Sequence, residues 1–222
     1  MLSRSRLFPL IMVGCGQFVV LTLVAMLFYA GGTDADPAAA RYQFFTNFFS
    51  DLGMTVAHNG QPNTISFLLF SLALSLAGLS LIVFFLLMPR FFQSDRLGLA
   101  LSRLGAFFGI IAGVCFVGVA FTPANLLLAA HVNFVFGAFG TYFVAILFFL
   151  AAMLKVPAFV ARYLIVLVVF AVILGGYLWL LFYGPKELAI QVTGQKIVAY
   201  ASIITVFIVA YGASQKERQA LI

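Results

Sequence analysis

The sequence predicts an all-α polytopic membrane protein. Residues 1–222 form a single domain of six transmembrane helices, with a short amphipathic interfacial helix in the first outer loop. Three observations predict it. The chain is 64% hydrophobic and 8% charged, where a soluble domain has roughly 45–50% apolar and 25% charged residues. Its mean hydropathy is +1.17, and 27 of its residues are phenylalanine. Its basic residues come as ones and twos between long apolar runs. That is the pattern of membrane orientation rather than of a nucleic-acid groove, so the net charge of +6 does not point to nucleic acid.

Six apolar runs are long enough to cross about 30 Å of hydrocarbon as helices of about 20 residues. They lie near 8–30, 64–88, 98–121, 126–153, 160–183 and 189–213. The first follows Arg4 and Arg6, as a signal peptide would. Its run from Phe8 to Ala30 is too long for a signal h-region and no small-x-small cleavage site follows, so an uncleaved helix is expected.

Lys and Arg set the orientation. With a cytoplasmic N-terminus the inner set is Arg4, Arg6, Arg90, Arg96, Arg103, Lys155, Arg162, Lys216 and Arg218. The outer set is Arg41, Lys186 and Lys196. This positive-inside bias predicts cytoplasmic termini and an extracytoplasmic segment over 31–63 in a cell-membrane protein.

Small residues predict where helices meet. Gly105, Gly109 and Gly113 recur every four residues in span three, which lets another backbone approach closely. Ser71, Ser75 and Gly78 in span two, and Gly137 with Gly140 in span four, offer similar faces. These faces are expected to hold the bundle together, and the span-three face is also a candidate homodimer interface. Cys15 and Cys115 fall in apolar runs at different depths, so no disulfide is expected.

One segment stands apart from this apolar background. After "GGTDADPAAA", residues 41–63 read RYQFFTNFFSDLGMTVAHNGQPN. Phe44, Phe45, Phe48, Phe49 and Leu52 recur at helical spacing, as do Gln43, Thr46, Asn47, Ser50 and Asp51. This predicts an interfacial helix over 41–53 with its aromatics in lipid and Gly53 as its C-terminal cap.

Polar groups from other spans reach the same side. His131, with Asn125 at its mouth, lies early in span four; Lys196, with Gln191 and Gln195 beside it, lies early in span six. Ionisable groups at membrane depth are costly and usually mark a site. Each also has a plainer reading. Lys196 could snorkel to the headgroups, His131 could bond a neighbouring helix, and His58 could be an exposed loop histidine. Together they predict an outward-facing polar pocket with Asn47, Ser50, Asp51, Asn63, Asn125, His131, Gln195 and Lys196 as candidate headgroup-binding residues.

"NFFSDLG", residues 47–53, with Asn63 and Ser66 at the opening of span two, resembles a signature of prokaryotic six-helix membrane proteins. These carry Ser-Asp-Leu-Gly after the first span. More distantly the chain is similar to the damage-regulated autophagy modulator family and its glycolipid-remodelling relatives. The resemblance covers most of the chain and implies membrane-lipid homeostasis or lipid handling, with Ser50, Asp51 and Gly53 at motif positions. It assigns no reaction.

Three function classes follow. The first is binding of a lipid headgroup, with Lys196 on phosphate, Asp51 orienting an amine or hydroxyl, and the Phe-rich segment at the acyl entrance. The second is an accessory or assembly subunit of a larger membrane complex. The third is an intramembrane lipid hydrolase or transferase. Its metal-dependent form needs Asp51, His58 and His131 as ligands, and its metal-free form pairs Ser50 with His131 as base. No cofactor motif occurs, and neither Walker, C-x-x-C nor H-E-x-x-H is present.

Overall fold

The computed structural model describes residues 7–155 and 161–219. Arg4 and Arg6, used in the orientation argument, lie outside them. Six α-helices are present: α1 (Leu7–Leu27), α2 (Thr64–Leu87), α3 (Arg96–Ala120), α4 (Ala124–Met153), α5 (Ala161–Tyr183) and α6 (Leu188–Gln219). All six are long and apolar enough to cross a membrane. A helix satisfies its own backbone polar groups, which is what hydrocarbon surroundings require. The chain is therefore a multi-pass integral membrane protein.

Each helix packs on the next in chain order, and α6 closes the ring against α1. Large apolar side chains such as Leu86, Phe107 and Val172 point outward, as lipid contact demands. Inside, one core holds Phe8, Phe85, Phe92, Tyr142, Phe149 and Phe170. A smaller core near the loop end joins Phe18 and Phe70 to Phe49 and Leu52 of the first loop.

The glycines of α3 explain how closely it packs on its neighbours. A Cβ on Gly113 would lie 2.8 Å from the Gly78 carbonyl oxygen, and one on Gly78 would lie 2.8 Å from that of Gly113. A Cβ on Gly109 would meet the Phe85 ring at 2.3 Å, and one on Gly105 the Phe149 ring at 2.7 Å. Ser71 Oγ adds a hydrogen bond to the Ala120 carbonyl at 3.1 Å. The Gly105/Gly109/Gly113 face is thus covered by α2 and α4 of the same chain. The close approach it permits is used within the chain. Both cysteines are free thiols.

Opposite the first loop, Arg90 and Glu217 form an ion pair, and the Arg90 guanidinium lies 5.6 Å from the centroid of Phe8. These contacts join the start of α1, the turn after α2 and the end of α6.

Candidate functional site

The segment expected to be one interfacial helix is a folded loop. Turns occupy 44–46, and a single 3-10 turn spans Phe49–Gly53. Phe44 and Phe45 are exposed as expected, but Phe49 and Leu52 enter the core. Asn47 and Asp51 fold inward instead of lying on the water side, while Gln43 stays exposed. Their hydrogen bonds within the loop and to α6 outweigh the helical periodicity.

Asn47 is the centre of this loop and is wholly buried. Its Nδ2 donates to the Gly32 carbonyl at 3.0 Å and to Asp51 Oδ2 at 2.9 Å, while its Oδ1 accepts from Gln43 N at 2.9 Å. Its carbonyl accepts from Lys196 Nζ and from Tyr42 Oη. Burial, with the nearby Asp51 charge, raises the Tyr42 pKa, so its hydroxyl keeps the proton it donates.

Asn63 binds the loop to the start of α2. Its Nδ2 donates to the Leu52 and Met54 carbonyls at 3.2 and 2.9 Å, and its Oδ1 accepts from Ala30 N at 3.2 Å. Ser66 Oγ also donates to the Leu52 carbonyl, at 3.1 Å.

These contacts rationalise the Ser-Asp-Leu-Gly motif. Asp51 Oδ2 accepts from Phe48 N at 3.0 Å, the reach-back half of a capping box. Leu52 is fully buried. A Cβ on Gly53 would lie 2.6 Å from the Phe70 ring, so close packing on α2 requires glycine there. The expected helix-capping role of Gly53 does not apply, since its φ is not positive. Gly32 does need positive φ, at 81°, and a Cβ there would lie 2.4 Å from Asn59 N. Of the motif's two polar side chains, that of Ser50 makes no hydrogen bond among the described residues.

Between this loop, α4, the end of α5 and the start of α6 lies a cleft of about 480 Å³. Ser50, Asp51, Asn125, His131 and Gln195 all line it, which brings together five of the eight candidate residues. Asn47, Asn63 and Lys196 do not. The two asparagines hold backbone instead of facing the cleft.

Lys196 neither snorkels nor faces a phosphate site. It is 2% exposed, donates to the Asn47 carbonyl, and sits 5.5, 5.0 and 5.6 Å from the ring centroids of Tyr42, Phe44 and Phe49. An ammonium can be buried this way because a carbonyl and three ring faces replace its water. Its role here is to tie α6 to the loop.

The cleft is acidic. Asp34 and Asp51 line it, with His58 and His131, and among the described residues no lysine or arginine does. His58 Nε2 lies 3.4 Å from Asp51 Oδ2. That hydrogen bond raises the His58 pKa, against an opposing but smaller effect of burial. Asp51 Oδ1 has no hydrogen-bond partner among the described residues.

His131 Nδ1 lies 2.7 Å from the Thr122 carbonyl oxygen. A carbonyl can only accept, so Nδ1 carries a proton, and Nε2 has no hydrogen-bond partner among the described residues. This bond ties α4 to the end of α3, the plain role its position suggested. Asn125 is exposed and clamps the loop from the other side: its Oδ1 accepts from Thr55 N at 3.1 Å and its Nδ2 donates to Thr55 Oγ1 at 2.9 Å. Near this end α4 departs from helical geometry at Leu127 (φ −131°, ψ 46°).

Neither hydrolytic arrangement is assembled. Among the described residues no three His, Cys, Asp or Glu side chains converge as a metal ligand set, so Asp51, His58 and His131 do not form the triad that the metal-dependent alternative needs. Ser50 and His131 line the same cleft without bonding to each other. Sequence reasoning missed Asp34, which sits in a turn-like run with no distinguishing signal. His58, read most simply as an exposed loop histidine and alternatively as a metal ligand, is half-buried and pairs with Asp51, through loop folding that spacing does not encode. No protein-family profile, no curated protein and no solved structure matches the chain.

Proposed function

We propose that this protein binds the polar head of a membrane amphiphile in the acidic cleft, which opens on the extracytoplasmic side. The distribution of Lys and Arg supports the orientation, and the resemblance of the Ser-Asp-Leu-Gly loop supports lipid handling. One observation carries the reading: a 480 Å³ cleft within a membrane-spanning bundle has two carboxylates and, among the described residues, no cation from lysine or arginine on its wall. Such a wall favours an amine- or hydroxyl-bearing head and disfavours a bare phosphate.

Asp51 is the principal contact. Its Oδ2 is held by Asn47, Phe48 N and His58, which fixes the carboxylate and leaves Oδ1 for the ligand. An ammonium about 4 Å from a carboxylate gains about 4 kcal/mol at an effective dielectric of 20, before desolvation. A net preference of ten- to a hundredfold, about 1.4–2.8 kcal/mol, is a reasonable remainder. His131 Nε2 and Gln191 supply further polar contacts at the wall.

The test is mass spectrometry of the lipids that stay with the protein through mild detergent purification, for wild type and Asp51→Asn. Enrichment of one amine-bearing class in the wild type, lost in the variant, is expected. A bulk-membrane profile in both would sink the reading and turn the search to a protein partner.

A further inference from the structure

A second, narrower cavity lies in the middle of the bundle. Its volume is about 100 Å³, and its wall is almost wholly apolar, drawn from α1, α2, α3, α4 and α6. Three residues line both cavities: Ser50, Val135 and Gln195. They stand at the boundary between the two, the neck. Gln195 Oε1 accepts from Phe49 N at 2.8 Å, and its Nε2 has no acceptor among the described residues. Ser50 Oγ is likewise unbonded among the described residues. Two hydrogen-bond donors therefore stand at the junction of a polar chamber and an apolar one.

We propose that the ligand is a single-chain amphiphile. Its head lies in the acidic cleft, its hydrocarbon chain runs through the neck into the inner chamber, and an ester, amide or hydroxyl oxygen at the neck accepts from Ser50 Oγ and Gln195 Nε2. This rests on the head-binding reading above and adds the chain and its attachment.

The dimensions decide for one chain. Gln195 and Val206 mark the neck and a deeper point of the chamber on α6, about 16 Å apart at 1.5 Å per residue. A water-sized group needs about 10–15 Å³ of such volume. At about 100 Å³ the chamber takes a single narrow hydrocarbon chain rather than two side by side. A lipid with two chains would have to leave at least one outside the neck.

Cys15 and Ala199 lie on the chamber wall and make the proposal testable. The probes are the aminoethyl amides of acetic, octanoic, dodecanoic and hexadecanoic acids, titrated into the purified full-length protein in maltoside. Wild-type affinity is expected to rise from the acetyl to the dodecanoyl amide and then level off. Ala199→Phe, which fills the chamber, is expected to weaken the dodecanoyl amide about tenfold and leave the acetyl amide unchanged.

A second readout needs no variant. Alkylation of Cys15 by an apolar thiol reagent is followed by peptide mass spectrometry, with Cys115, which does not line the chamber, as internal reference. The dodecanoyl amide should protect Cys15 and the acetyl amide should not. Affinity that ignores chain length, together with unprotected Cys15, would overturn the proposal. If Asp51→Asn still abolishes binding of every amide, head binding survives that result; if no amide binds the wild type at all, both fall.

Discussion

Replacing Asn63 by Asp isolates how the first loop is held. The two side chains are nearly the same size, so packing is preserved. Asp keeps an acceptor for Ala30 N but places an oxygen where Nδ2 donates to the Leu52 and Met54 carbonyls. Two hydrogen bonds are lost, at about 1 kcal/mol each. The Leu52 carbonyl retains Ser66 Oγ, whereas the Met54 carbonyl loses its donor, which adds about 1–3 kcal/mol. The sum is about 3–5 kcal/mol. Thermal unfolding in detergent should show it as a Tm lowered by about 6–20 °C, taking about 2–4 °C per kcal/mol for a chain of this size. Asn125→Asp is the control, since its bonds to Thr55 are exposed and should contribute about 1 kcal/mol or less. Equal Tm values for Asn63→Asp and wild type would refute the claim that Asn63 staples the loop.

Four further outcomes are expected. Gly109→Ala should destabilise by about 1–3 kcal/mol through overpacking on Phe85. Gly140→Ala, with nothing within 4 Å of the new Cβ, should be neutral or stabilising by up to about 1 kcal/mol in the same melts. The raised His58 pKa makes the pairing with Asp51 stabilising below the unfolded histidine value and lost as pH rises through the folded one. The protection factors of amides in the 47–58 loop, taken after correction for base-catalysed intrinsic exchange, should therefore fall across that window, above about 6.5, and His58→Gln should abolish the pH step. Lys196→Met keeps the aliphatic stem but removes the ammonium from the Asn47 carbonyl and the ring cage. Limited proteolysis should then cut the loop at least several-fold faster, and an unchanged cutting rate would show that Lys196 does not hold it.

The spans were legible because hydropathy is a local property. The apolar run near 64–88 became Thr64–Leu87, and that near 126–153 became Ala124–Met153. The loop was less so. Phe44, Phe45, Phe48, Phe49 and Leu52 have helical spacing, yet Phe49 N bonds Gln195 across 146 residues, and no window of sequence contains that partner. Helix rotation was equally hidden. Gln195 and Lys196 are neighbours, but one residue turns an α-helix by about 100°. Gln195 therefore faces the cleft, while Lys196 faces the aromatic rings of the loop. The sequence placed both near the site and could not say which one belonged to it. The glycine faces had a similar ambiguity: four-residue spacing marks a close approach without naming the partner, which here is α2 and α4.

The most direct test of the account is head selectivity at Asp51. The dodecanoyl aminoethyl amide and its hydroxyethyl counterpart differ only in carrying an ammonium or a hydroxyl. Their dissociation constants are compared in wild type and Asp51→Asn at a pH above the His58 transition, where His58 no longer neutralises the carboxylate. The account predicts a preference of about tenfold or more for the amine in the wild type, absent in Asp51→Asn. The same preference in both proteins, or none in the wild type, would contradict it.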